Sequence, residues 1–483
     1  MVDNDLVGKL SEGEKNILEF RMNSISPDSG KYGKSSEKLA DYLSPRAEWL
    51  MCAEIQRQLL ETRMEFGQAK EENVKEVVEA LKKISPSNIS LLEEKVTKHD
   101  QLAVIEEIGR YVSPETKALL HPGTTSYDIL DTARSKLFKM AWYDVIRPEI
   151  SKAMDQLCNI AEKSMDYMQI GRTHLQNTSP VLFGGVLAGY AARIAERTEK
   201  CDSAFASLKG KISGIVGTGA SIDAVIGNEK SIEFEKKVLE ALELKPDYTA
   251  TQIVQKESMA DAGHSLTTLM HVLADFANDI RMLYSSAIQE VTSRDNAERL
   301  GGSSADAGKN NPIQYENIAG KAAIVESGMR VLYEMIHSDF QRDLRNSVQA
   351  RYQPQTMMCQ VYESFSRLNK ALPQLSVNED IMKANLEPLR KSPTEAMTAI
   401  LRGKGFIHSK YGVGHDFVRE MAKRAKKEGK YLLETAKEDS EFMELHKKLS
   451  MKEKNILYGG LEDYLGSAAE RARINLEYAK RAI

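Results

Sequence analysis

Apolar Leu266, Leu269, Met270, Leu273, Phe276, Ala277, Ile280 and Leu283 recur at intervals of three and four within residues 250–291. That is the spacing of a bundle or coiled-coil seam. Three more stretches, 128–167, 180–208 and 313–337, are equally long and nearly free of helix breakers. Helices of this length carry more apolar surface than one neighbour can cover, so they predict a bundle completed by further copies of the chain. The chain has only 13 prolines, and Ala, Leu, Glu and Lys dominate, which agrees with an all-α protein. With 483 residues it exceeds one simple core. The long stretches separate three expected domains: 1–121, 122–354 and 355–483.

Shorter helices flank the bundle. Ser44 as N-cap and Pro45 at the first helical position open an amphipathic segment reaching Phe66. Further helices are expected over 72–83 and 90–111, closed by Ser85–Pro86 and Ser113–Pro114 respectively. A formal charge of −4 argues against nucleic acid or an anionic membrane as the main partner. Cys52, Cys158, Cys201 and Cys359 are scattered without a CxxC pair, which fits a reducing compartment and gives no metal signal. No basic-then-apolar leader opens the chain, and no window approaches the ~20 apolar residues of a membrane span. The expectation is a soluble, cytoplasmic protein without cofactor or metal.

The helical pattern breaks most sharply over 301–312, where three glycines and a proline surround Ser303, Ser304, Lys309 and Asn311. Hydroxyls, an ammonium and amides in one mobile loop suit a small anionic ligand and catalysis; a plain interhelical turn is the competing reading. Four further polar clusters sit at element ends. Thr124, Thr125, Ser126, Tyr127 and Asp128 open the first long stretch, as N-cap groups or as a carboxylate cradle. Arg172, Thr173, His174 and Gln176 precede the second, at an expected loop–helix junction, where a histidine can transfer a proton near neutral pH. His99 and Asp100 form another imidazole–carboxylate pair. Arg342, Asp343, Ser347 and Arg351 read either as a salt-bridged helix end or as an anion clamp. The glycine-rich segment 213–220 lacks the ending of a P-loop and the strand context of a dinucleotide fold, and is read as a tight connector.

Taken in order, these clusters resemble the fumarase/aspartase superfamily of fumarate-releasing lyases, and within it the adenylosuccinate lyases. Gly302, Ser303, Ser304, Lys309, Asn311 and Pro312 are similar to the signature GSSxMPxKxNP. Thr125, Ser126, Asp128, Asp131 and Thr132 resemble TSxDxxDT, and Arg172, Thr173, His174 and Gln176 resemble RTHxQ. Lys98, His99 and Asp100 match an upstream HD pair, and Thr251–Gln252 a TQ pair. Arg342, Asp343 and Ser347, with Arg351 beyond them, resemble RDxxxS. Lys31–Tyr32 stands where the family carries Arg–Tyr, and Asp306, Ala307 and Gly308 replace the signature's Met–Pro and the variable position after it.

The resemblance implies a three-domain helical subunit and a homotetramer with a twenty-helix core, each active site assembled from three chains. It implies elimination of fumarate from adenylosuccinate and from the succinylated imidazole-carboxamide ribotide. Ser304 is then the base and His174 the acid. Thr125, Ser126 and Asn311 bind carboxylate, Lys309 stabilises the serine alkoxide, and Ser303, Thr173, Asp100 and Gln252 line the site. Lys31, Tyr32, Arg342, Ser347 and Arg351 take the nucleotide, and His99 supports the phosphate or His174. Another succinyl-amine lyase, such as one acting on argininosuccinate, and a non-catalytic paralogue are the alternatives.

Overall fold

Ser44 accepts a hydrogen bond from the amide of Ala47 at 3.2 Å, and Pro45 opens the helix Pro45–Glu65, as the sequence predicts. The computed structural model describes residues 7, 10–227, 229–294 and 310–482. Long helices dominate it: Pro45–Glu65, Phe183–Ala206, Glu257–Leu283 and Ile313–Glu334. Among the described residues the strands are short and form two-stranded pieces only. Among the described residues, no helix is long and apolar enough to cross a membrane.

The described chain divides into two compact units. The first comprises Met1–Ser151, Arg197–His271 and Ile318–Arg367. Its core gathers Ile55 and Leu59 from Pro45–Glu65, Ile129 and Ala133 from Ser126–Met140, and Phe234 and Val238 from Ser231–Ala241. Within it, Gly263 of one long helix faces Leu332 of another so closely that an added Cβ would meet Leu332 Cδ1 at 2.1 Å. Glycine permits that approach without displacing the leucine. The expected helix 90–111 is broken in two. After Pro86–Leu92 the backbone widens into a π turn, Glu93–Thr97, and Lys98 takes a left-handed φ of 51° before Asp100–Gly109 begins. His99 caps the second piece, and neither glycine nor proline marks the break.

The second unit comprises Lys152–Glu196, Val272–Asn317 and Leu368–Ile483. One core joins Met397 and Leu401 to Phe417, Met421, Leu432 and Phe442. A smaller cluster of Ile170, Leu386, Leu389 and Leu461 seats an antiparallel hairpin, Met168–Thr173 with Gln176–Leu182. Helix Phe183–Ala206 follows that hairpin directly. The sequence placed a loop before the helix; Thr178, Ser179 and Pro180 hid an extended strand.

Candidate functional site

The carboxylate of Asp128 organises the start of helix Ser126–Met140. It accepts from the amides of Thr125 at 2.7 Å and Ser213 at 3.0 Å, and from the amide of Gly214. It also pairs with the Lys211 ammonium, both side chains being fully buried. A fully desolvated ion pair holds only when its remaining lone pairs are satisfied, as the three amides do here. The N-cap reading of Thr125 therefore holds, and the same bonds fold the glycine connector 213–214 onto the helix end. The hydroxyls of Thr125 and Ser126 lie at that end, where the helix dipole favours an anion.

His99 joins this group. Its Nδ1 accepts from the Leu102 amide at 3.4 Å, and its Nε2 lies 3.2 Å from Ser126 Oγ. With Nδ1 accepting, a neutral ring carries its proton on Nε2 and donates toward Ser126. Asp100 Oδ1 stands 3.4 Å from His99 Nδ1.

A second group forms around Tyr127. The Arg342 guanidinium lies over its ring, 3.7 Å from the centroid, and donates to Gln252 Oε1 at 2.8 Å. The Tyr127 hydroxyl donates to Ser347 Oγ at 2.7 Å, and Arg351 reaches that oxygen at 3.5 Å. Among the described residues, Arg342 Nε and both amide atoms of the buried Asn346 have no hydrogen-bond partner. Buried unpaired polar atoms of this kind are costly unless a ligand meets them. Asp343, by contrast, turns to Arg345 at 2.7 Å, and the hydrogen bond from that guanidinium holds its carboxyl well below the usual range. Both readings of this segment thus apply, each to different residues.

A cavity of about 450 Å³ runs from Asp100 and Arg351 to the turn bearing Ser26, Asp28 and Ser29, with Glu48 and Glu93 in its wall. Burial pushes the carboxyls of Glu93 and Asp28 up. Lys31 is exposed. The Tyr32 ring lies under Lys321 and Arg367, 4.6 and 5.4 Å from its centroid, while both cations pair with Glu363. The structure therefore brings the 26–29 turn, not the Tyr32 ring, to the Arg351 cavity.

Thr173, His174 and Asn311 belong to the second unit. His174 and Leu175 form the hairpin tip, with left-handed φ values of 52° and 59°. His174 is thus displayed on an exposed two-residue turn and not at the expected loop–helix junction. Arg172, just before it, forks onto Glu290 at 2.6 and 3.1 Å. Asn311 is half-buried beside Pro312, where its carbonyl accepts from the Ile313 amide at 2.8 Å. Ser303, Ser304 and Lys309 lie outside the described residues. Tyr127 and Glu290 escaped the sequence reading. Tyr127 stood inside a quoted motif without a role, whereas Glu290 gave no local signal.

Residues 34–326 match a family model described as Lyase. The chain is 28% identical to an adenylosuccinate lyase of Pyrococcus horikoshii over 94% of this chain and 98% of that protein. It is 30% identical to one of Pyrococcus abyssi, over 77% and 80% respectively. Among solved structures it resembles a 3-carboxy-cis,cis-muconate lactonizing enzyme from Pseudomonas putida (TM-score 0.76, 19% identity, 92% of this chain and 97% of that one). A fumarate lyase from Mesorhizobium sp. BNC1 gives a TM-score of 0.75 at 22% identity, over 91% and 97%. At those identities the two structures support the shared fold alone.

Proposed function

The chain belongs to the lyase family, within the fumarase/aspartase superfamily, and is a carbon–nitrogen lyase; from that premise we propose that it is an adenylosuccinate lyase, releasing fumarate from adenylosuccinate and from the succinylated imidazole-carboxamide ribotide. The observation that carries the nucleotide reading is the cluster of Gln252, Arg342, Ser347 and Arg351 around Tyr127. Two guanidiniums and a hydroxyl in one place suit a phosphate.

The chemistry needs a base at the carbon beside one carboxylate, an acid at the departing nitrogen, and donors for the dianion between them. Ser304 takes the proton, with Lys309 stabilising its alkoxide. His174, on its exposed turn, protonates the nitrogen. Thr125 and Ser126, at the helix end that Asp128 organises, hold a succinyl carboxylate, and Asn311 is assigned to the same task. His99, donating from Nε2, fixes the Ser126 hydroxyl. Thr173, Ser303 and Asp100 line the site, and of the pair Lys31–Tyr32 the exposed Lys31 is the one left to reach the nucleotide, since the Tyr32 ring is held by Lys321 and Arg367. The subunits form a homotetramer in which sites combine residues of different chains, and the protein works in the cytoplasm.

A second reading, argininosuccinate as substrate, is favoured by one observation. Asp28, Glu48, Glu93 and Asp100 line the Arg351 cavity and suit a guanidinium better than a phosphate. A spectrophotometric assay of fumarate release separates the two. Turnover of adenylosuccinate alone supports the proposal, and turnover of argininosuccinate alone overturns it.

A further inference from the structure

Glu290 is fully buried, and among the described residues its carboxylate accepts from Gln169, Arg172 and Asn385. Oε2 accepts from Gln169 Nε2 at 2.6 Å and from an Arg172 amino nitrogen at 3.1 Å. Oε1 accepts from the other Arg172 amino nitrogen at 2.6 Å and from Asn385 Nδ2 at 2.8 Å. Such a forked Arg–carboxylate pair fixes the guanidinium in plane as well as in distance. Two of its partners, Gln169 and Arg172, lie on the strand Met168–Thr173, which ends directly before His174.

That strand needs an external anchor. Its register slips between Ile170 and Arg172, and its tip holds two non-glycine residues in the left-handed region. A turn of that kind is favoured by Asn and Gly, not by His and Leu. Local sequence therefore does not favour this turn, and the Arg172 fork is a buried side-chain anchor two residues before it. The backbone of Glu290 is pinned too, its amide donating to Leu283 O at 3.1 Å and its carbonyl accepting from Asn378 at 2.9 Å. Directly after it, Val291–Ser293 pairs with Leu375–Val377, and the chain then runs on to the segment carrying Ser304.

We infer that Glu290 is a positioning residue for His174: through Arg172 it sets the hairpin tip from which the acid acts. The inference rests on the proposed role of His174. It is tested by a double-mutant cycle on purified protein, following fumarate release with Glu290→Gln, His174→Ala and the pair. Glu290→Gln should lower kcat by ~10- to 100-fold while KM stays within ~3-fold, because the substrate's binding groups are untouched. In the His174→Ala background the same change should cost less than ~3-fold, since the residue it serves is gone. An unchanged kcat, a loss carried by KM, or losses that multiply would overturn the inference while leaving His174 its role. Wild-type turnover in His174→Ala would instead overturn the role of His174, and the inference with it. If Glu290→Gln does not fold, Arg172→Lys runs the same cycle, keeping the charge and losing the fork. It should show a kcat loss that vanishes in the His174→Ala background, and a loss that persists there overturns the inference.

Discussion

The Arg342 guanidinium rests on the face of Tyr127, 3.7 Å from the ring centroid, while the same tyrosine's hydroxyl donates to Ser347. One aromatic side chain thereby ties together two groups assigned to the nucleotide. Tyr127→Phe keeps the ring and removes the hydroxyl, an interaction worth about 1 kcal/mol. KM for adenylosuccinate should rise ~3- to 10-fold with kcat within ~2-fold. Tyr127→Leu also removes the cation–π contact and should raise KM further. Steady-state kinetics on the two variants decide it; equal KM values for Phe and Leu would show that the ring face contributes nothing.

The buried Asp128–Lys211 pair makes a stability prediction. Asp128→Ala strands the Lys211 ammonium in the core and should cost about 3–5 kcal/mol in urea unfolding. The double variant Asp128→Ala/Lys211→Met should recover part of that loss. A double variant no better than the single one would assign the cost to the lost amide bonds of Thr125, Ser213 and Gly214.

Ser304→Ala and His174→Ala should each reduce turnover by ~10²-fold or more without changing the oligomeric state. Mixed oligomers of the two inactive variants should regain activity if sites are shared between chains. Verified mixed oligomers that stay inactive would argue that each chain holds a complete site.

His121 gives a pH prediction. Burial lowers its imidazole to about 4 from the usual 6.5, and Gln56 Nε2 donates to its Nδ1 at 3.0 Å, which favours the neutral ring. The native state thus binds fewer protons than the unfolded chain between those values. Stability is complete above pH ~6.5, declines as pH falls toward ~4, and changes no further below, with up to about 3 kcal/mol at stake. His121→Asn should flatten the decline in urea midpoint between pH 7 and pH 4.5. An unaltered slope would place the acid sensitivity elsewhere.

Much of the fold was legible because its signals are local. The Ser44–Pro45 start, the Thr125 cap and the apolar seam through Leu266, Leu273 and Ile280 depend only on near neighbours in the chain. What stayed hidden depends on distance or on backbone choice. Glu290 meets Arg172 across 118 positions, so no spacing rule could pair them. The break at Lys98 uses a left-handed lysine where glycine would have announced it. The hairpin before Phe183 is built from polar residues whose partner strand, not their own pattern, makes them extended. Tyr127 points its hydroxyl at Ser347, 220 residues away, and the motif around it gave that side chain no task.

The two-residue tip of that hairpin has an evolutionary cost attached. An Asn–Gly pair at positions 174 and 175 would relax the backbone and make a sturdier molecule, yet it would remove the imidazole proposed as the acid. Selection for thermal robustness and selection for turnover therefore pull in opposite directions at this bend, and a laboratory screen scoring heat tolerance alone should drift toward well-folded, inert proteins there.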